Sequence, residues 1–270
     1  MNRNWLFGFV ILLSVSKAGA VPFVMGALGD SITVGFNSSA IGENRDLSWA
    51  TGLDPGVRVR SHAFRLKSHY SYTDLKAHNM AAVGATSADL AAQTSKLAHH
   101  NPKYVTLLLG ANDLCRFASE DQTFLVQFEE RVDSSVRQMI SKNPGVHIVI
   151  SGVPDIYRLY QLGKRNGCEF QWNITKMCSR LLSPSSTDEV RQWIFDGWKS
   201  MNLILEEIAN RYPENSVYVA NPTSEEFSRE DISSYDCFHP SARGQNRLAE
   251  VTFRAYLDWK GQLDSNIDQE

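Results

Sequence analysis

The chain has 270 residues, 43% of them hydrophobic, enough for one sizeable buried core. Lysine and arginine number 27 against 30 aspartates and glutamates, a net charge of −3. That balance, with no basic block, gives no support for nucleic-acid binding. The four cysteines lack CxxC spacing and the seven histidines lack HxxxH spacing, which argues against a zinc site.

Residues 1–20 read as a secretory signal. Arg3 supplies the positive start, Trp5 to Val15 a short apolar run, and Ala18-Gly19-Ala20 a cleavage site, with cutting expected after Ala20. The run is short of the ~20 residues that a membrane span needs. Its removal takes away Arg3 and Lys17 and no acid, so the net charge moves from −3 to −5.

The first strand is expected over Pro22 to Leu28 and a weaker second over Asn79 to Val83. Tyr104 to Leu109 ("YVTLLL") predicts a third, Val146 to Ile150 ("VHIVI") a fourth and Val217 to Ala220 a short fifth. Continuous apolar strands imply burial on both faces, as in a parallel sheet covered by helices. Between them, helical spacing runs over Ser87 to His99, Thr123 to Ser141, Thr187 to Arg211 and Ser241 to Trp259. Phe124, Phe128, Val132, Val136 and Ile140 recur in steps of four, a stripe that belongs in a core. Val190, Ile194, Trp198, Met201, Leu205 and Ile208 form another. The alternation predicts one doubly wound α/β domain over residues 21–270.

Two stretches break the alternation. Asn37 to His69 is rich in turns and charges, and Pro154 to Ser186 carries Tyr157, Tyr160, Trp172, Arg158, Arg165 and Arg180. Both follow the C-terminal end of a strand, where open α/β sheets bind ligands, and both are read as active-site loops. Cys115, Cys168, Cys178 and Cys237 permit two disulfides in three pairings. The shared stretch favours Cys168 with Cys178, which leaves Cys115 with Cys237. Asn37-Ser38-Ser39 and Asn173-Ile174-Thr175 match the N-glycosylation pattern.

The chemistry centres on Ser31, in "VMGALGDSITVG", between a strand and a helix-like run. Alone, this serine reads as a helix N-cap. Neither GxxxxGK[ST] nor GxGxxG occurs there, nor the GxSxG elbow. Three further sites fall at the same expected sheet edge: Gly84 in "AAVGATS", Asn112 in "LLLGAND", and Asp236 three residues before His239. A serine hydroxyl needs a base to become a nucleophile, and imidazole titrates in the right range. A carboxylate fixes the imidazole tautomer. Backbone N–H groups of Ser31 and Gly84, with the Asn112 amide, suit an oxyanion. Among the histidines, His62, His69 and His78 lie in or after the first insertion, His99 and His100 end a helix, and His147 sits in a strand pattern. Only His239 has both a carboxylate three residues earlier and a place past the last strand. Asp30 and Asp113 are the other carboxylates near these blocks and are read as turn or capping residues.

The blocks Gly29-Asp30-Ser31-Ile32, Gly84, Gly110-Ala111-Asn112-Asp113 and Asp236-Cys237-Phe238-His239 resemble, in order, the four blocks of the GDSL (SGNH) hydrolase family. Ile32 stands where that family usually has leucine. Ser48-Trp49-Ala50-Thr51-Gly52, "AAVGATSADL" and "LLLGANDLC" resemble its phospholipase-B-like branch. The resemblance implies a three-layer flavodoxin-like fold with a mostly parallel five-stranded sheet and esterase or lipase activity. It implies Ser31 as nucleophile, His239 as base, Asp236 as its partner, and Ser31, Gly84 and Asn112 as the oxyanion hole, with no metal or organic cofactor. Expected substrates are acyl esters of phospholipids or lysophospholipids, with transient contact to a membrane or micelle surface. Carbohydrate or aryl esters are the alternative, and a non-catalytic binding protein on the same fold is the alternative of another class. The protein is expected to be secreted or periplasmic.

Overall fold

The computed structural model describes residues 22–70, 74–117, 123–164, 166–221 and 227–267. The expected leader and its cleavage site lie outside the described residues. Five strands form one sheet: β1 (Phe23–Gly29), β2 (Leu75–Asn79), β3 (Tyr104–Leu108), β4 (His147–Ser151) and β5 (Ser216–Val219). Their order is β2-β1-β3-β4-β5, and all four pairings are parallel. The helices are α1 (Ser31–Val34), α2 (His62–His69), α3 (Leu90–Ala98), α4 (Ala111–Arg116), α5 (Phe124–Lys142), α6 (Ile156–Lys164), α7 (Glu169–Thr175), α8 (Ser179–Leu182), α9 (Asp188–Arg211) and α10 (Ala242–Ile267).

Alternation along the strands separates two cores. Val105, Leu107, Ile148 and Ile150 pack with α3, α5 and α9 on one face. Met25, Tyr104, Val149 and Val219 pack with α2 and α10 on the other. The result is the three-layer α/β/α arrangement that the continuous apolar strands imply. The two apolar stripes sit in the first core: Phe128, Val132 and Val136 are buried from α5, and Ile194, Met201, Leu205 and Ile208 from α9. Side-chain caps set two of the helix starts. The Ser61 side chain accepts from the Phe64 N–H, and that of Thr187 from the Val190 N–H.

One strand assignment needs correction. The second strand is Leu75–Asn79, not Asn79 to Val83. It lies at the sheet edge and is only half-buried, so its sequence "LKAHN" carries no continuous apolar run. The run that does, Met80 to Val83, leaves the strand and descends past the end of β1, where Met80 and Ala82 still donate to Ala27 O and Gly29 O.

The disulfides also differ from the expected pairing. Cys115 joins Cys178, and Cys168 joins Cys237. Cys168 and Cys178 flank α7, which turns their side chains toward different neighbours: one toward α4, the other toward the loop before α10. Proximity in sequence says little where a helix separates two cysteines.

Candidate active site

The strand order reverses direction at β1, between β2 and β3. Ligands of open α/β sheets bind in the crevice outside the strand ends at such a point. Ser31 follows the end of β1, and Asn112 follows the end of β3. The loop after β5 brings Asp236 and His239 to the same edge.

There the His239 imidazole lies between Ser31 and Asp236. The Ser31 hydroxyl is 2.8 Å from Nε2 of His239, and Nδ1 is 2.6 Å from Oδ2 of Asp236. All three residues are buried. Burial alone would raise the Asp236 carboxyl out of the usual range. Its hydrogen bonds and the charge of His239 outweigh this and hold it below its ordinary value. An ionised Asp236 accepts from Nδ1–H, which leaves the Nε2 lone pair facing the Ser31 hydroxyl. The rings of Phe36 and Phe238 meet the imidazole edge-on, each at a centroid distance of 5.1 Å, and restrict its rotation.

Ser31 is not the helix cap. Asp30 takes that place, with Oδ1 accepting from the Ile32 N–H at 2.9 Å. Ser31 is therefore the first helical residue, and its own N–H has no partner within the helix. The turn is braced from three sides. Gln93 on α3 makes two 2.9 Å bonds to the backbone of Gly29, one to its N–H and one from the amide to its C=O. Gln245 on α10 donates to Ile32 O and accepts from the Trp49 N–H. Ser48 Oγ and Asn79 Nδ2 both donate to Thr33 O.

Asp113 on α4 accepts from the backbone N–H and hydroxyl of Ser87. This joins the Asn112 helix to the Gly84 loop. Asn112 donates one amide N–H to Ala85 O at 3.0 Å, which fixes the side chain and leaves its second N–H for another acceptor. Gly84 has φ +76, a left-handed backbone that favours glycine, and the space where a Cβ would stand is open.

Beside Ser31 an apolar cleft holds about 460 Å³ of empty space, its open mouth included. Ile32, Ile156, Leu159, Leu162, Phe227 and Phe238 are among its lining residues. The second insertion contributes to it through α6. Its aromatic residues have other work. Trp172 is buried and donates from Nε1 to Cys237 O, and Tyr160 packs under the Arg191 guanidinium. Arg165 lies outside the described residues. Only part of the first insertion reaches the site, because α2 packs against α10 on the far face.

The remaining histidines are placed elsewhere. His62 is buried between the Tyr104 hydroxyl and Thr252, and His147 is bonded to the Tyr256 hydroxyl. His78 stacks on His100 at the sheet edge. Among the described residues, no group of three or more His, Cys, Asp or Glu is arranged to hold a metal ion.

Residues 27–247 match the model of the GDSL-like lipase/acylhydrolase family. The chain belongs to this family. It is a carboxylic-ester hydrolase. Among curated proteins it is similar to the mouse and human membrane-associated phospholipase B1, at 24% identity to each over 87% and 88% of the chain. It spans only 19% and 20% of the length of those relatives. Among solved structures, TesA is similar at 18% identity and a TM-score of 0.54, over 87% of this chain and 99% of that one. A family 3 carbohydrate esterase from Clostridium thermocellum is similar at 15% identity and a TM-score of 0.53, over 90% and 99% of the two chains.

Four braces escape sequence reading: Asn37, Gln93, Gln245 and the Asp113–Ser87 pair. Gln93 and Gln245 sit at helix positions that face the sheet, where a buried amide among apolar residues is the available signal. Asn37 carries a sequon, which draws attention to glycosylation and away from the side chain. In the fold Asn37 is buried and hydrogen-bonded, whereas Asn173 is exposed on α7.

Proposed function

We propose that this hydrolase cleaves acyl esters of phospholipids or lysophospholipids through an acyl-enzyme on Ser31. The hydrogen-bonded series Ser31–His239–Asp236 beside an apolar cleft carries the reading. Nε2 of His239 takes the hydroxyl proton as Ser31 Oγ bonds to the ester carbon. The resulting oxyanion accepts from the Ser31 and Gly84 N–H groups and the free N–H of Asn112. The proton passes from Nε2 to the leaving alkoxide, and the acyl group stays on Ser31. Water, deprotonated by His239, then attacks the acyl-enzyme and releases the acid. Asp236 holds the imidazole in the required tautomer and stabilises its cation. The cleft suits an acyl chain, because its lining, apart from Asp155, is apolar and mostly aliphatic.

Two paired disulfides favour an oxidising compartment, in keeping with export by a leader cut after Ala20. Substrate approach from a membrane or micelle surface follows from a lipid ester. Among the described residues no helix is long and apolar enough to cross a membrane.

The test has two parts. Ser31→Ala is expected to abolish hydrolysis of a short-chain nitrophenyl ester with little change in melting temperature. Retained activity would remove Ser31 from the mechanism. Rates across phospholipids, lysophospholipids, triglycerides and acetylated sugars then decide the substrate class. Preference for acetylated sugars or aryl esters would replace the lipid reading.

A further inference from the structure

We propose that Asn37 is a positioning residue of the reaction: its side-chain amide holds the Asp236 carboxylate in the orientation that aims His239 at Ser31. This rests on the reading of Ser31, His239 and Asp236 given above.

The geometry is closed on both sides of the amide. Nδ2 of Asn37 donates to Oδ2 of Asp236 at 2.6 Å, and that bond is buried. Oδ1 of Asn37 accepts from the Gly42 N–H at 2.8 Å, which fixes which end of the amide is the donor. Asp236 Oδ1 accepts from the N–H groups of Phe238 and His239 at 2.8 and 3.0 Å. The carboxylate thus has four N–H donors, three from its own loop and one from a residue 199 positions away. Without Asn37 every restraint on the carboxylate would belong to the loop it is meant to steady.

The backbone around Asn37 is built for this task. Asn37 has φ +54, a left-handed conformation that asparagine tolerates better than most residues. Its C=O accepts from Ser233 Oγ at 2.6 Å. Ser38 O accepts from the Ala242 N–H, and Ser39 O accepts from the Tyr235 hydroxyl. The turn after α1 is therefore sewn to both ends of the Asp236–His239 loop. Because α1 begins at Ser31, the same turn carries nucleophile and carboxylate brace on one short stretch of chain.

The amide also sets the proton affinity of the pair it touches. An N–H dipole aimed at Oδ2 favours the ionised carboxylate, and so opposes proton uptake there. Among the described residues, the charged and titratable groups facing the pair from the surrounding elements are few. Asp30 on the β1 turn acts on His239, and Arg229 donates to Cys237 Sγ beside it. Asp231 closes the turn before the loop, engaged with Arg243 and Arg247 of α10. Substitution of Asn37 leaves all of these in place.

The experiment compares pH profiles of kcat/KM on a soluble short-chain nitrophenyl ester. Asn37→Gly removes the amide and accepts the left-handed backbone. Asn37→Asp keeps the shape and replaces the donor with a second carboxylate. Both should lower kcat by about tenfold or more, with KM little changed. The acid limb should move up in Asn37→Gly and further up in Asn37→Asp. Ser233→Ala, which loosens the same turn without touching the carboxylate, should leave the acid limb in place. In an Asp236→Ala background Asn37→Gly should cost little more. Unmoved acid limbs in both Asn37 variants, or an equal loss in the Asp236→Ala background, would overturn the proposal. Activity that survives Ser31→Ala would instead overturn the reading beneath it.

Discussion

Asn112 carries the most separable contribution at the residue scale. Its amide has two N–H groups, and one is spent on Ala85 O. That bond turns a flexible side chain into a fixed donor, so in the proposed reaction nothing reorganises when the oxyanion forms. Asn112→Ala should lower kcat on a soluble ester by a factor of about 10² to 10³. The fold should lose little, because Asp113 still holds α4 to Ser87 through its own bonds. Steady-state kinetics with a thermal melt of the same variant separates the two effects. A fall in melting temperature as severe as the fall in kcat would make Asn112 a structural residue. The same logic explains which of the proposed site residues the sequence can suggest. Ser31, Gly84, Asn112, Asp236 and His239 stand in the segments that follow strands, in short blocks whose residue types fit one chemistry. Asn37 and Gln93 stand inside a turn and a helix, and their chemistry exists only after the chain has folded.

Elements are legible in proportion to how far burial determines their sequence. β3 is buried throughout, and "YVTLL" is read correctly to within one residue. β2 is half-buried at the edge, so its polar sequence hides it and the apolar turn after it is mistaken for it. The disulfides add a constraint that no local pattern carries. Cys168–Cys237 ties the start of α7 to the residue between Asp236 and Phe238, where Cys237 has φ +56. Trp172 reinforces the tie by donating to Cys237 O. Cys115–Cys178 instead ties the end of α4 to the start of α8, while Asn112 keeps its own anchors. The two bridges close loops of 63 and 69 residues, so each should restrict the unfolded chain by about 4 kcal/mol. Replacing either cysteine pair with serines should therefore lower unfolding free energy by similar amounts. Only loss of Cys168–Cys237 should also lower kcat markedly, by freeing the His239 loop. Equal falls in kcat for the two double variants would show that this tether does not orient the base.

On the scale of the whole molecule, two buried groups, one at the end of β1 and one beneath α10, give stability opposite pH dependences. Asp30 is enclosed at the end of β1, and its Oδ2 has no hydrogen-bond partner among the described residues. Burial raises its carboxyl to about 7, against the lowering effects of the Ile32 N–H and His239. His62 is enclosed beneath α10. Thr252 gives its hydroxyl proton to Leu248 O, so it accepts from Nε2 of His62, and Nδ1 accepts from the Tyr104 hydroxyl. Burial lowers this imidazole to about 3. Between about pH 4 and 6.5 the folded chain binds a proton at Asp30 that the unfolded chain has released, so Asp30 makes stability fall as pH rises. Over the same range the unfolded chain binds a proton at His62 that the folded chain refuses, so His62 makes stability fall as pH drops. The two slopes oppose each other, each about 1.4 kcal/mol per pH unit. Asp30→Asn keeps an oxygen to cap the Ile32 N–H and removes one slope. Urea unfolding at pH 4.5, 5.5 and 6.5 should then show the variant losing stability toward acid more steeply than the wild type, by about 1.4 kcal/mol per unit. Parallel curves for the two proteins would mean that Asp30 is already ionised in the folded chain at pH 5, and that the cap, not the proton, satisfies it.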